Sequence, residues 1–367
     1  MFGFSEKVVE EGGESRYSRQ VVLPAIGHEG QEKLRSARVV VVGVGALGSV
    51  MAELLARAGV GTLRLIDRDY LELHNLQRQS LYTEADVREG LPKAVAAARH
   101  IEAINSDVAV EPCVADLTPE NALDLLAPSD ARGPALMLVL DGTDNLQTRY
   151  LLNDLSIELG VPWVYSAVIG TSGVVMPVVP GDTACLRCLF PDPPPAGSVE
   201  TCDVAGVLGS AAHAIASIAV AEAIKLLVGG RPNATQGILT ADLWAGTWDR
   251  IEVPRNPLCP ACGQHRLDFL RGEAWGRDAA RLCGRDAVQV RLSNVESEVG
   301  VDLTALGERL RAGGVGDMLV GDYLIRLRPR DDDGRHELTI FPDGRVIVKG
   351  TQDVVQARSL VARYIGM

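Results

Sequence analysis

Four cysteines fall in two pairs, Cys185-Leu-Arg-Cys188 and Cys259-Pro-Ala-Cys262. Four thiolates at that spacing fill a tetrahedral zinc shell and leave no open coordination position, so a zinc ion held here has a structural task. A second constellation begins at Gly43-Val-Gly45-Ala46-Leu-Gly48. It follows an apolar run and opens a helical pattern, the context in which missing side chains let backbone approach a phosphate at the positive end of a helix. Asp67, 19 residues beyond Gly48 and at the end of the next apolar run, is placed to accept hydrogen bonds from ribose hydroxyls. Asn75, Arg78 and Lys93 then supply polar and cationic groups suited to a triphosphate more than to nicotinamide: arginine offers forked donors and lysine a point charge. In Asp141-Gly-Thr-Asp144-Asn145 a carboxylate can hold the magnesium that bridges phosphates, although Asp144 also suits the N-cap of the helix that follows. As a set, these residues fit ATP better than NAD.

The elements that must position them follow from the hydrophobic pattern. Strands are expected over 38–42, 62–66, 108–113, 135–140 and 163–167, with helices over 29–35, from the glycines through residue 58, and over 94–104, 120–126 and 146–159. Continuous apolar strands alternating with helices make an α/β fold, a Rossmann-like, mostly parallel sheet with flanking helices. A strand over 174–179 leads to the first Cys pair, residues 190–197 are too proline-rich for anything but a loop, 210–227 returns to helix, and 237–253 holds two strands. A composition break follows His265, and what remains reads as a small α+β C-terminal module. Its expected strands are 287–292, 323–327, 338–340 and 345–349, and its helices 303–311 and 353–364. The expected division is a flexible leader over 1–15, a nucleotide-binding domain with the zinc knuckles over 16–267, and the module over 268–367.

The chain has 367 residues and a formal net charge of −12, which argues against a partner recognised through phosphates, since such binding rests on clustered Lys and Arg. Nucleic acid is therefore a poor partner. The acidic N-terminus lacks the basic start and apolar run of an export signal, and the apolar stretch 204–228 carries His213, Glu222 and Lys225, as a buried helix does and a membrane span does not. Seven cysteines without an export signal point to metal or redox chemistry in the cytoplasm, not to a disulfide framework.

Taken together, Arg16-Tyr-Ser-Arg19-Gln20, VVVGVGALG, LIDRDYLELHNLQRQ, LPK, DGTDN, the two Cys pairs and RNPLCPACG resemble the HesA/MoeB/ThiF family, the adenylyltransferases of the ubiquitin-activating enzyme superfamily. The match runs from about residue 16 to 263. The resemblance implies ATP-dependent adenylation of the C-terminal Gly carboxylate of a ubiquitin-like sulfur-carrier protein of the MoaD or ThiS type. The products are an acyl-adenylate and pyrophosphate, ahead of thiocarboxylate formation. It implies a carrier tail ending in Gly-Gly in a narrow groove, a sulfur donor such as a cysteine desulfurase, and a homodimer in which Arg19 reaches the partner's nucleotide site. It further implies that Asp67 binds ribose, that Asn75, Arg78 and Lys93 hold phosphates, that Asp144 organises magnesium, and that Leu76, Gln77 and Asn145 belong to the nucleotide-binding set. Two positions depart from the family pattern: Ala46 stands where relatives often have Gly, and VREGLPK is longer than the usual stretch before the lysine.

Cys202 lies just beyond the proline-rich loop, where some relatives carry a cysteine that links covalently to the carrier and others do without it. Cys113 and Cys283 read as small core residues, and His28, His74, His213 and His265 show no ligand spacing. The module beyond 267 lacks a recognisable sulfurtransferase loop, so a carrier-docking or dimer-contact surface is expected there. Three alternatives compete with the main reading: an NAD-dependent oxidoreductase, a tRNA-modifying relative and a non-catalytic member of the superfamily. The first uses the glycines and Asp67 but leaves Arg19, Arg78, Lys93 and Asp144 without a shared task.

Overall fold

The computed structural model describes residues 16–126, 137–194, 205–274, 287–292, 300–332 and 334–366. Two compact units emerge. In the first, helices α1 (Ser18–Val21) and α2 (Gly27–Ser36) precede β1 (Arg38–Val42), α3 (Gly48–Ala58) and β2 (Thr62–Ile66). Then come α4 (Glu84–Glu89), α5 (Lys93–Ile104), β3 (Ala109–Cys113), α6 (Ala122–Leu126), β4 (Met137–Asp141), α7 (Leu146–Leu159), β5 (Trp163–Ile169) and β6 (Ser172–Val178). α8 (Leu186–Leu189), α9 (Gly209–Gly229), β7 (Ile238–Asp242) and β8 (Thr247–Ile251) complete it.

The eight strands order as β3-β2-β1-β4-β5-β6-β7-β8. The first five are parallel and the last three antiparallel, so the sheet is α/β at one end and a meander at the other. β1 is buried at every position, and its alternate residues serve two faces. Val40 and Val42 join a core made with α6, α7 and the cysteine-bearing segments, whereas Val41 touches the start of α3. On that second face α2, α3, α5 and α9 pack together. α9 is long and apolar enough to cross a membrane by composition, yet its residues are largely buried among these elements, and Glu222 within it is held by Lys225 at 2.7 Å and Thr235 at 2.9 Å. It is the buried helix its sequence announces.

Register decides where the site lies. Val42 pairs with both Ile66 and Asp141, and Ile66 pairs with Cys113, so the carboxyl ends of β1, β2, β3 and β4 stand level. β1 has β2 on one side and β4 on the other, which opens a crevice at the carboxyl edge where the winding of an α/β sheet reverses.

The second unit comprises Arg88–Leu91 and the chain from residue 276 onward. It is a five-stranded antiparallel sheet, order β10-β11-β12-β13-β9, formed by β9 (Ala287–Arg291), β10 (Gly316–Val320), β11 (Ile325–Pro329), β12 (Glu337–Ile340) and β13 (Arg345–Lys349). Helices α10 (Leu303–Ala312) and α11 (Val354–Tyr364) cover it, and Leu306, Leu310, Ile325, Leu338, Val346 and Val361 fill its core. β10 has no counterpart among the expected strands, because it pairs only at the sheet edge and buries none of its residues fully. β11 begins at Ile325 and not at 323, since residues 321–324 close the turn between β10 and β11, and it ends on Pro329, a position an edge pairing tolerates.

Candidate nucleotide site and cysteine centre

The glycines of the β1–α3 turn divide into two kinds. Gly43 has φ +80°, and a Cβ on it would lie 2.8 Å from the backbone of Gly142; one on Gly48 would lie 1.8 Å from the Gly43 carbonyl oxygen, and one on Gly142 would lie 2.3 Å from that same oxygen. These three residues let the β1–α3 and β4–α7 turns close on each other, backbone against backbone. A Cβ on Gly45 would meet only Gln79 Nε2, at 3.7 Å. Gly45 thus faces open space just before the first turn of α3, where helix amides have no intrahelical acceptor, with the half-buried Ala46 next to it. Gln79 is nearly fully buried beside this opening, and its Oε1 has no hydrogen-bond partner among the described residues. The open glycine turn at a helix start fits a phosphate, whose oxygens accept from amides, and the unsatisfied Gln79 Oε1 beside it calls for a donor such as a ligand hydroxyl or amine.

Asp67 follows β2. Its Oδ2 accepts from Val44 N at 2.7 Å and its Oδ1 from Asp69 N at 2.7 Å, so it fixes the loop as well as facing it. Burial pushes its carboxyl up, the Lys93 ammonium draws it back down, and Asp69 pushes it up again. Lys93 opens α5; its Nζ lies 3.0 Å from Asp69 Oδ2 and its backbone N–H donates to Asp69 O at 2.9 Å. Tyr82, absent from the expected set, donates from its hydroxyl to Val44 O at 2.6 Å and to Lys93 O at 3.3 Å, which ties the glycine turn to the lysine. It lies in QSLYT, where no spacing singles it out.

The remaining expected residues are less uniform. Asn75 is buried and acts locally: its Oδ1 accepts from Glu72 N at 3.0 Å within a capping box. Leu76 is half-buried, Gln77 exposed, and the half-exposed Arg78 donates to His74 O at 3.0 Å. Asn145, not Asp144, caps α7, accepting from Gln147 N at 2.9 Å and Thr148 N at 3.4 Å. Asp144 is exposed, and the negative field it adds is felt by Arg68 and Arg149. Asp141 is wholly buried and spoken for: Oδ1 accepts from Thr143 N and Oγ1 at 2.9 and 2.7 Å, and Oδ2 from Arg149 Nε at 3.0 Å. Arg149 also donates to Thr143 O and stacks over Tyr165 at 5.3 Å. This internal pairing shapes the turn and leaves Asp144 as the carboxylate facing outward.

Just before α1, Tyr17 is buried and its hydroxyl accepts from Asn105 Nδ2 at 2.9 Å, while Gln20 within the helix donates to Ala58 O at 2.9 Å. Those two contacts pin the helix and leave Arg19 on its exposed side. Cys202 and Cys283 lie outside the described residues.

The four cysteines do converge. All four Sγ atoms lie within 4.8 Å of one another, with separations of 3.9 Å for Cys185–Cys188, 3.6 Å for Cys185–Cys259 and 3.5 Å for Cys188–Cys262. A tetrahedron of thiolates at ~2.3 Å from zinc has edges of about 3.8 Å, so the donor set fits that ion. Asn256 N donates to Cys188 Sγ at 3.4 Å, the kind of support that orients a thiolate ligand. The centre is fastened to α7. Leu186 N donates to Asn153 Oδ1 at 2.8 Å, and Asp154 Oδ2 accepts from Phe269 N at 3.0 Å and Leu270 N at 3.3 Å. Burial raises the Asp154 carboxyl to about 6 against these two donors. Arg187, also buried, donates to Pro191 O at 2.9 Å and stacks over Phe269 at 5.8 Å.

The model of the ThiF family matches residues 17–261. Among curated proteins, the sulfur carrier protein ThiS adenylyltransferase of Bacillus subtilis is 40% identical over 353 residues, covering 96% of this chain and 99% of that one. The sulfur carrier protein adenylyltransferase of Thermus thermophilus is 44% identical over 254 residues, 68% of this chain and 90% of that one. Among solved structures, Escherichia coli MccB with succinimide superposes with a TM-score of 0.59 at 21% identity, over 69% of this chain and 75% of that chain, a likeness of fold.

Proposed function

Because the chain belongs to the ThiF family of ATP-using adenylyltransferases, we propose that it adenylates the C-terminal glycine carboxylate of a ubiquitin-fold sulfur carrier ending in Gly-Gly. The observation that carries this reading is the grouping at the carboxyl ends of β1 and β2: the open turn at Gly45 with the buried Gln79 beside it, Asp67, and the Lys93 ammonium. Asp67 takes the ribose, Lys93, Arg78 and Asn75 take the phosphates, and Gly43, Gly45, Ala46 and Gly48 form the turn over them. Asp144 would hold magnesium, which when bound neutralises phosphate charge, with Asn145 setting the turn that presents the carboxylate. Arg19 serves the neighbouring site of a homodimer.

The reaction needs positioning and charge neutralisation, with no side-chain nucleophile: the carrier carboxylate attacks the α-phosphorus, the bond to the bridging oxygen breaks, and pyrophosphate leaves. Lys93 is held ready for the charge that develops, since Asp69 keeps its ammonium aimed while Tyr82 fixes the backbone beneath it. The cysteine centre would hold zinc and keep the 256–265 turn on α7, away from the chemistry. A cysteine desulfurase is the donor that suits the later sulfur step, Cys202 is the residue to test for a covalent link to the carrier, and the cytoplasm is the compartment. Carrier-dependent exchange of labelled pyrophosphate into ATP, measured with Gly-Gly proteins of the same organism, tests the reading. Exchange with one of them supports it, and none with any of them sinks it.

A further inference from the structure

Within the first unit, residue 44 is held at both of its backbone polar atoms, and neither bond is helical. Val44 N–H donates to Asp67 Oδ2 at 2.7 Å, and Val44 O accepts from the Tyr82 hydroxyl at 2.6 Å. The backbone ladder of α3 starts one residue later, with Ser49 N donating to Gly45 O at 3.1 Å, so the Val44 carbonyl stands outside it. Tyr82 is 6% exposed, and since a carbonyl can only accept, the phenol is the donor. Its single proton serves the 2.6 Å bond to Val44 O more fully than the 3.3 Å approach to Lys93 O. Burial and the Asp67 and Asp86 carboxylates hold this phenol well above its usual range, which keeps the proton on it.

A trans peptide carries its C=O and N–H on opposite sides, so pinning one aims the other. The first of the two peptides of residue 44 obeys this: Val44 N–H is turned to Asp67, and the Gly43 oxygen lies instead against Gly48 and Gly142. In the second peptide the Val44 carbonyl is turned to Tyr82, so the Gly45 N–H points away from the tyrosine. No acceptor among the described residues takes the N–H of Gly45, Ala46 or Leu47, the three residues before α3. Consecutive unclaimed amides at the head of a helix make a concave donor set for an anion. We propose, on the reading of this turn as the phosphate site, that Tyr82 is a positioning residue for adenylation: by holding the Val44 carbonyl it aims the Gly45 amide of the same peptide at a phosphate oxygen of ATP.

The test uses the full chain and needs no carrier. ATP with magnesium chloride is titrated calorimetrically, and the Gly45 amide is followed in a proton–nitrogen correlation spectrum of the same protein. In the parent, ATP moves the Gly45 amide proton downfield, the signature of a bond to a charged acceptor. Tyr82→Phe removes one oxygen and keeps the ring; it is expected to weaken ATP binding roughly fivefold, the scale of one hydrogen bond, and to leave Gly45 with a smaller shift at saturating ATP. A tyrosine that only stabilised the fold would lower the melting temperature and leave that saturated shift unchanged. 4-Aminophenylalanine at position 82, a weaker donor in the same place, falls between parent and Tyr82→Phe on both readouts, and it is the test if Tyr82→Phe does not fold. A parent that binds ATP with its Gly45 amide unmoved, or a Tyr82→Phe protein with the parental Gly45 shift, overturns the proposal and leaves ATP use standing. A parent chain that binds no ATP overturns the adenylation reading and the role of Tyr82 with it.

Discussion

The nucleotide edge and the cysteine centre both bury charged groups, but they satisfy them differently. Around the cysteines, Asn153, Asp154 and Arg187 each hold backbone of the adjoining segments, and four sulfurs match one tetrahedral ion, while Asn153 Nδ2 and Asp154 Oδ1 are enclosed without a partner among the described residues. Along the carboxyl edge, pairing is partial. Gln79 Oε1 has no partner among the described residues, Gly45 faces space, and Arg78 spends one donor on a local carbonyl. The difference lies in access: the polar groups of the cysteine centre lock neighbouring backbone inside the packed fold, whereas those of the carboxyl edge border an open turn that can hold something else.

The comparison breaks most visibly at Cys259, which is completely buried. Cys259→Ser should abolish zinc in protein purified without chelator and cost more than about 4 kcal/mol in denaturant unfolding, as loss of a structural metal does. A parent protein without metal would end the contrast at its source. Next in size is Arg78→Ala: carrier-dependent exchange should fall on the order of a hundredfold, with unfolding free energy within about 0.5 kcal/mol of the parent. If Arg78→Ala instead melts the protein, the two regions do not differ as argued.

Asp154 sharpens the contrast through pH. Its folded carboxyl titrates near 6 against an ordinary value of 3.8, so the folded state binds the proton more tightly than the unfolded one. That sign makes its contribution present in acid and lost as pH rises from about 4 through 6. The stability of the parent relative to Asp154→Asn should therefore fall by roughly 2 kcal/mol over that window and stay level above pH 7, in urea unfolding followed at several pH values. A difference that does not change with pH would show that the two backbone donors, and not burial, govern the group.

Local chemistry was legible before folding was considered. The Cys-x-x-Cys spacing, the strand-glycine-helix sequence through Gly48, Asp67 after the second strand and the α/β alternation are all short-range patterns, and β1, β2, α7 and β13 fall at the residues their periodicity marks. The family resemblance brought the substrate class, which no spacing contains. Three things were settled only in three dimensions. Gly142 is required because two turns far apart in sequence touch there, Asp141 is internal because Arg149 folds back onto it, and Arg88–Leu91 belongs to the second unit because its neighbours come from beyond residue 276. β10 escaped notice for a related reason, as an edge strand with no fully buried residue shows no clean alternation. Sequence carries the constraints a residue shares with its neighbours along the chain, and close packing between distant segments adds the rest.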